Sequence, residues 1–387
     1  MTSTTRSRAE RERVRRDRDR RWQIIVVCVA LGFATIAAFA NSPRGLLGAE
    51  DQVETDDVPS VIREQMRTTL TVQTSDAGVV RFAMLSGIDP KSAAATVVFI
   101  PAATVIEIPA LGLQPLTNLL QSSDATALAT NLANALGVRI DHTAVLSEAD
   151  LAKVFAIAPR IAVAVPEAVT VDDGVATLQP GENQIASSIA AQLVSGQDSR
   201  GALAHFATVQ AVLEGWFGAL RAEPDLIAAG AEVTGAAGLL RLSGFSEGLQ
   251  FNTLPVASVA AGDVERYEVD ESEANGLFDE RFASARLGIR GQRVRLELLN
   301  GVGTPGLVQL VANRVVPAGG NVILTGNSVR FGETTTKVVY YRDIDAQAAR
   351  ALVELLGEGA VAKDASPVSV VDITIVIGAD LADKLKR

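Results

Sequence analysis

The amino-acid sequence predicts an α/β protein with one hydrophobic helix near the N-terminus, followed by a larger and a smaller α/β domain. Three observations lead to this prediction. A run of 19 residues without a charged side chain, 22–40, follows an arginine-rich tail. Apolar, β-branched runs alternate with helical patterns between about residues 68 and 221. A second, shorter alternation begins near residue 291 and continues to the C-terminus.

The first 40 residues have the pattern of a membrane anchor. Residues 1–21 carry nine arginines and four acidic side chains, a net charge of +5. The uncharged run 22–40 would form a helix of about 28 Å, close to the roughly 30 Å hydrocarbon core of a bilayer. Trp22 stands where an interfacial aromatic residue belongs, and the arginine excess keeps the tail inside. We therefore predict a single-pass protein of the plasma membrane, with a cytoplasmic N-terminus and an extracytoplasmic body.

A cleaved signal peptide is the alternative interpretation of this segment. Ala38, Phe39 and Ala40 fit the small-x-small cleavage pattern, with the cut after Ala40. A retained anchor is favoured because the basic region is long and the apolar run nearly spans a bilayer. Both interpretations place the rest of the chain outside the cytoplasm. Cys28 is the only cysteine, so disulfides cannot stabilise the body.

The rest of the chain is acidic. The formal charge of the whole chain is −10, which leaves −15 once the tail is set aside. This balance argues against a nucleic-acid partner, because neutralising phosphates requires Lys and Arg. Residues 41–67 are polar and acidic, with Pro43 and Pro59, and predict a stalk. Apolar residues make up 48% and aromatic residues 4%, so we expect cores of Ala, Val, Leu and Ile.

The larger predicted domain, 68–290, alternates strands and helices. Strand-forming runs lie at 68–74, 79–85, 95–100, 140–146 and 160–165. A helix is predicted over 124–136, with its leucines on one face and Gly137 at its end. A capping-box pattern at 147–150 predicts the next helix, and another is expected over about 201–221. The pattern weakens over 224–291, which we assign to the same domain.

The smaller predicted domain, 291–387, has the order β-α-β-β-α-β. Apolar and charged residues alternate over 293–298, which is typical of a half-buried strand. Thr304 and Pro305 fit the N-cap and first turn of a helix. Further strands are predicted at 321–325, 337–341 and 373–377, with a helix between Asp345 and Gly357. This order is compatible with a ferredoxin-like or related sandwich.

One glycine-rich segment has the form of a phosphate-binding motif. Residues 301–306 spell GVGTPG, formally GxGxxG, between a strand and a helix. A dinucleotide site would need an acidic residue about 20 positions later, and residues 322–326 contain none. A tight structural turn is therefore favoured.

No residue set predicts a metal centre or a nucleophile. The two histidines, His142 and His205, lack a usable cysteine as co-ligand, which argues against a zinc cluster. The Gly-x-Ser-x-Gly elbow of serine hydrolases is absent from the sequence. Asp172 and Asp173 precede Gly174 and predict a turn rather than a metal site. The sequence therefore assigns no catalytic residue, no cofactor and no metal ligand.

Two stretches resemble the LytR-CpsA-Psr (LCP) family. Residues 294–381, with LELLNGVGTPGL, VVYYR and TIVIGADL in order, are similar to the C-terminal domain of LytR-type proteins. Residues 70–221 are similar to a diverged LCP domain, which implies an LCP-like α/β/α fold. The supporting segments are IDP at 88–90, IPAAT at 100–104, EIP at 107–109, LGV at 136–138, IDH at 140–142 and VAVP at 163–166.

The resemblance implies a chemistry whose key residues are replaced here. Active LCP proteins move a glycopolymer from a polyprenyl-pyrophosphate carrier to the cell wall. Arginines grip the pyrophosphate bidentately, and carboxylates place Mg²⁺ on the phosphates. The family's Pro-Arg-Asp becomes Pro101-Ala102-Ala103 in this chain. The metal-binding acid aligns with Arg81, which has the opposite charge.

The family's Arg-x-Arg pair is also missing. It should fall between the strand ending near residue 165 and the helix after Gly201, but residues 161–199 contain no Lys or Arg. Arg200 aligns with a later arginine of the family, whereas Leu203 stands where its partner is expected. Arg81 and Arg200 remain as candidate ligand-binding residues.

The sequence thus favours a non-catalytic, membrane-anchored envelope protein that binds or scaffolds during cell-wall assembly. Its expected partners are a wall polymer, a polyprenyl lipid or another envelope protein. The alternative is an LCP-type phosphotransferase with a site rearranged around Arg81, Arg200 and the remaining acids. A third hypothesis gives the arginine-rich tail a role in sensing anionic lipid or a cytoplasmic partner.

Overall fold

The computed structural model describes residues 66–89, 94–171, 174, 176–196, 200–233, 235–245, 248–259, 265–288, 292–365 and 370–386. The predicted tail, the hydrophobic run 22–40, almost all of the stalk, and Asp172 and Asp173 lie outside these residues. All described residues fall in one compact unit, Asp56–Arg387. Within them, no helix has the length and apolar character needed to span a membrane. The mixed α/β class predicted from the sequence is confirmed.

The described residues 66–288, here called the N-terminal body, contain the larger group of elements. Its strands are β1 Arg67–Thr74, β2 Val80–Asp89, β3 Ala94–Pro101, β4 Thr104–Ile108, β5 Gly112–Pro115, β6 His142–Ser147, β7 Arg160–Val165, β8 Val169–Val171, β9 Ala176–Leu178, β10 Gly181–Ala186, β11 Leu249–Thr253, β12 Val256–Ser258 and β13 Tyr267–Val269. Its α-helices are α1 Leu119–Ser122, α2 Ala125–Leu136, α3 Glu148–Phe155, α4 Ser187–Ser195, α5 Ala202–Ala222, α6 Asp225–Gly230, α7 Ala237–Ser243 and α8 Glu271–Arg281.

The main sheet has the strand order β11-β3-β2-β1-β6. β1, β2 and β3 are antiparallel neighbours, whereas β6 runs parallel to β1 and β11 runs parallel to β3. Side chains alternate across this sheet, so Phe82 and Met84 enter one core while Ala83 and Leu85 enter the other. Helices α3, α4, α5 and α7 cover the first face, and α2 and α8 cover the second.

The weakly patterned segment after residue 224 supplies β11 to the main sheet. Its helices α6 and α7 have only six and seven residues, fewer than two full turns. A segment this short cannot display the repeating apolar positions by which a helix is recognised in a sequence.

Local signals fix α2 and α3 where the sequence predicts them. The Asp124 carboxylate accepts a hydrogen bond from the Ala127 amide at 2.7 Å and caps α2. Gly137 ends this helix in the left-handed conformation, with φ of 65°. The Ser147 hydroxyl accepts from the Asp150 amide at 3.1 Å and caps α3.

The described residues 292–386, here called the C-terminal module, form a separate mixed sheet. Its strands are β14 Arg295–Asn300, β15 Asn321–Asn327, β16 Lys337–Tyr340, β17 Ala360–Lys363 and β18 Ile373–Ile377, in the order β15-β14-β18-β16-β17. Its helices are α9 Leu307–Val315, α10 Ala346–Leu356 and α11 Ala379–Leu385. β14 is parallel to both its neighbours, and β16 is antiparallel to β18.

Two features of this module correct the prediction. The order β-α-β-β-α-β omitted β17 and α11, which are only four and seven residues long. The helix predicted to start at Thr304 and Pro305 starts at Leu307, after Gly306 with φ of 77°. The reason is that the Asn300 side chain, rather than Thr304, organises the preceding loop.

Candidate functional site

A pocket of about 250 Å³ opens where β2 begins and β3 ends. It is the candidate site because Arg81, Ala102 and Ala103, three of the positions that differ from the pattern of the resembled family, line it together. Residues from separate elements line it, among them Arg81, Ala102, Ala103, Thr117, His205 and Glu265.

The turn from β3 to β4 forms one side of this pocket. Both the amide and the hydroxyl of Thr117 donate to the Ala102 carbonyl, at 2.9 and 2.8 Å. The Tyr267 amide donates to the Ala103 carbonyl at 3.2 Å. These bonds fix the turn, and the side chains it contributes to the lining are methyl groups. No guanidinium or carboxylate is therefore offered at these two positions.

The start of α5 forms the opposite wall. His205 Nε2 lies 3.2 Å from the Val194 carbonyl oxygen, so the buried imidazole is tied to the end of α4. Phe206 stacks on Phe99 with a ring separation of 5.2 Å, and Phe99 stacks in turn on Phe251 at 5.9 Å. This wall therefore combines the buried imidazole of His205 with a series of stacked aromatic rings.

Glu265 contributes the acidic side chain of the pocket lining. Its carboxylate accepts a hydrogen bond from the hydroxyl of the buried Tyr267. Burial raises the pKa of Tyr267, and the bond to Glu265 raises it further. The phenol therefore stays protonated at neutral pH and remains a donor. At Gly201, φ is 99° and a Cβ would stand 3.4 Å from Glu265 Oε1, so glycine suits this close approach.

The two predicted ligand-binding arginines occupy different positions. Arg81 lines the pocket and is exposed to solvent. Arg200 precedes the lining residue Gly201, and its Nη1 lies 3.6 Å from Oε2 of Glu167. The structure thus places Arg81 in the pocket and Arg200 beside it, in an ion pair with an exposed acid.

The residues present do not fit a magnesium site. Magnesium prefers several oxygen ligands, usually including one or two carboxylates. Arg81 is a cation at the position of the expected acid, and Ala102 and Ala103 offer no side-chain ligand. In the part of the chain that the structure describes, no group of three or more His, Cys, Asp and Glu side chains is placed to hold a metal ion.

The GxGxxG loop is held by its own chain. Asn300 Oδ1 accepts from the amides of Val302 and Gly303 at 3.1 and 2.8 Å, and Asn300 Nδ2 donates to the Thr304 carbonyl at 2.8 Å. These two amides are therefore already engaged and are not offered to a phosphate. The Asn300 side chain thus gives the loop the internal hydrogen bonds of a tight turn.

The Ile-Asp-His segment is structural as well. Asp141 accepts from the Thr68 amide at 2.9 Å and from Arg139 Nε at 2.6 Å, which ties the start of β1 to the segment before β6. Burial opposes ionisation of Asp141, but these hydrogen bonds outweigh it and lower the pKa of the carboxyl. His142 is exposed at the first position of β6 and is not part of the pocket lining.

Sequence reasoning missed Thr117, His205 and Glu265 as pocket residues. Thr117 lies in a single turn of 3-10 helix, and Glu265 lies in the weakly patterned segment. His205 stands in a predicted helix, but no local pattern shows which wall that helix forms. Only the packing of α5 against the main sheet brings these residues together.

Comparison with known families identifies the C-terminal module. Residues 293–381 match the family described as LytR cell envelope-related transcriptional attenuator. The resemblance predicted for this part of the chain is therefore confirmed. No curated protein sequence is significantly similar to this chain.

Several solved structures are distantly similar to this chain. TagV of B. subtilis is 14% identical, covers 57% of this chain and 99% of its own, and gives a TM-score of 0.48. TagT of B. subtilis is 13% identical, covers 60% of this chain and 95% of its own, and gives 0.46. A LytR-Csp2A-Psr enzyme from Actinomyces oris is 16% identical, covers 57% and 91%, and gives 0.46. These likenesses are distant.

Proposed function

We propose that this chain is a membrane-anchored, extracytoplasmic cell-envelope protein whose pocket binds a ligand or partner without transferring a phosphate-linked group. The lining around Ala102 and Ala103 carries this proposal. Phosphoryl chemistry depends on preorganised cations, and each charge-assisted hydrogen bond is worth roughly 1.5–3 kcal/mol. Methyl groups supply none of that stabilisation.

The proposed location in the cell rests on the sequence and on the family match together. The basic tail and the uncharged run 22–40 support an anchor with the body outside the cytoplasm. The match of residues 293–381 to an envelope-related family supports the same compartment. An alkaline-phosphatase fusion after residue 65 should be active in the periplasm of a bacterial reporter strain, and inactivity would contradict this topology.

Arg81 is the residue most suited to ligand contact. It is the cation in the lining of the pocket, and Arg200 stands beside that lining. A single guanidinium can orient one anionic or polar group of a wall polymer, a polyprenyl lipid or an envelope protein.

The test is an assay of transfer and hydrolysis with a polyprenyl-pyrophosphate substrate, with and without Mg²⁺, beside an active LCP enzyme. We expect no turnover above background while the control enzyme is active. Clear Mg²⁺-dependent turnover would contradict the proposal.

A phosphotransferase with a rearranged site is the second candidate, because Arg81 lines the pocket and Arg200 adjoins it. Under that hypothesis Arg81→Ala abolishes turnover, and Glu167→Gln, which releases Arg200 from its ion pair, changes it. Turnover indifferent to both variants would count against this second candidate.

A further inference from the structure

A second groove, of about 470 Å³, lies between the N-terminal body and the C-terminal module. The hairpin of β4 and β5 and the helix α2 form one side of it. Helix α9 and the strand β15 form the other side. The residues that line it differ from those around Arg81, so an inference about this groove does not depend on the proposed function.

The groove runs beside a strand that ends its sheet. β15 is the last strand in the order of its sheet, paired with β14 on one side, and Val322 and Thr325 of β15 line the groove. On the other side of β15, the Asn134 side chain bonds the Val322 amide and carbonyl at 3.0 and 2.8 Å. A side-chain amide thus takes the place that a neighbouring strand would take. The described residues pair no further strand with this edge.

The polar groups of the groove suit a peptide backbone. Asn131 lies about one turn before Asn134 on α2, and its amide offers both a donor and an acceptor. Gln309 Nε2 donates to Asn313 Oδ1 at 2.8 Å, and Gln309 also lines the groove. An extended chain beside β15 presents N–H and C=O groups to such amides. An acyl chain presents none.

The lining of the groove has no charged side chain, although the chain after residue 21 carries a net charge of −15. The apolar part comes from Ile108, Val308, Ala312 and Val316, together with Leu111, which is 62% exposed at the hairpin tip. Burying a charged side chain here would leave the charge without a partner. The absence of charged side chains from the lining therefore favours an uncharged ligand.

We propose that this groove binds an extended, uncharged peptide segment of a partner protein, which adds as a strand to the edge of β15 beyond Val322, where the Asn134 side chain no longer occupies the strand position. Main-chain hydrogen bonds to β15 would hold the segment, and the apolar lining would take alternate side chains. The groove is continuous with the contact between Asn134 and Val322. The bound peptide and the contact between the N-terminal body and the C-terminal module would therefore share one edge of β15.

The experiment selects random linear peptides displayed on phage against the full chain in detergent micelles. Enriched peptides are synthesised with a fluorescent label, and binding is measured by anisotropy. We expect uncharged sequences whose affinity falls at least about tenfold in Val308→Arg and in Thr325→Arg, the scale of a lost hot-spot contact. Leu310→Arg is the matched control, because Leu310 is exposed on α9, the helix that carries Val308, but lies outside the lining, and it should leave affinity unchanged.

Backbone methylation separates strand addition from apolar adhesion. N-methylation at positions facing β15 removes a donor, and affinity should fall by about tenfold, whereas methylation at the alternate positions should be tolerated. Failure to enrich peptides, or binding indifferent to Val308→Arg, Thr325→Arg or methylation, would overturn the proposal. A labelled acyl chain and a labelled glycan are tested as separate probes. If one of them binds in a way that depends on Val308 while no peptide binds, the groove takes another class of ligand and the proposal is wrong. Unchanged thermal unfolding shows that each variant is folded.

Discussion

The side-chain amide of Asn134 pairs with both backbone groups of Val322, as an adjacent strand would. Asn134 is 5% exposed and lies on α2 of the N-terminal body, whereas Val322 lies on β15 of the C-terminal module. Two further bonds cross the same junction. Thr130 Oγ1 donates to Asn313 Oδ1 at 2.7 Å, and Arg293 Nη2 donates to the Asn134 carbonyl. The module is therefore fixed to the body by buried, directional hydrogen bonds.

Asn134→Leu keeps the approximate volume of the side chain but removes both bonds to Val322. Each of the two buried backbone groups left without a partner costs about 1–3 kcal/mol, so we expect a loss of about 2–6 kcal/mol of unfolding free energy. Urea unfolding followed by circular dichroism measures this. Asn131→Leu is the control, because Asn131 is partly exposed on the same helix and should change stability by less than about 0.5 kcal/mol. Equal effects of the two variants would contradict the role given to Asn134.

Substitution by alanine should have opposite effects on stability at two glycines of α5. A Cβ at Gly215 would stand 2.2 Å from the Ala162 carbonyl oxygen of β7, whereas Gly218 has no neighbouring atom within 4 Å. Gly218→Ala should stabilise by up to about 1 kcal/mol through helix propensity. Gly215→Ala should destabilise by about 1–3 kcal/mol, because β7 has to move. Thermal unfolding of both variants decides this, and stabilisation by Gly215→Ala would show that α5 does not pack this closely on β7.

Acid should weaken the C-terminal module through Asp372. Burial alone would raise the pKa of Asp372, but hydrogen bonds from the Arg295 side chain at 2.8 Å and amide at 2.9 Å, with the Arg342 guanidinium, lower it below 3.8. A carboxyl whose pKa is lower in the folded state stabilises the fold above its unfolded pKa of 3.8. That contribution is lost as the pH falls through the folded pKa.

The matching measurement is unfolding free energy between pH 7 and pH 2 for the wild type and Asp372→Asn. We expect the variant to be less stable at neutral pH, with a shallower loss below about pH 4. An identical pH profile for both proteins would show that Asp372 contributes nothing to acid sensitivity.

Adding a cationic side chain at Ala102 should allow the pocket to bind an anion more tightly. Ala102→Arg would add one guanidinium beside Arg81, and a charge-assisted hydrogen bond is worth roughly 1.5–3 kcal/mol. We expect inorganic pyrophosphate to bind at least about tenfold more tightly to Ala102→Arg than to the wild type by isothermal titration calorimetry. Ala102→Leu controls for added volume and should show no gain. Equal affinity in all three proteins would mean that the turn at Ala102 does not face the ligand.

The sequence predicts those elements whose signals are local. Asp124 and Gly137 mark both ends of α2, and the leucines between them mark its buried face. The pocket depends instead on distant residues. Nothing near His205 or Glu265 in the sequence indicates that both line the cavity beside Arg81, since the packing of α5 and the position of β13 bring them there. The loop before α9 shows a third case, because Thr304 and Pro305 fit a helix start but Asn300 organises that loop.

The parallel pairing of β11 with β3 affects how the chain can be shortened. β3 is buried along nearly its whole length, and β11 follows it by about 150 residues in the chain. A fragment that ends before residue 249 leaves one edge of β3 unpaired and apolar, and such an edge recruits strands from other molecules. Truncation before residue 253 should therefore yield aggregates even though α5 is intact, which sets a minimum length for any soluble fragment of the N-terminal body.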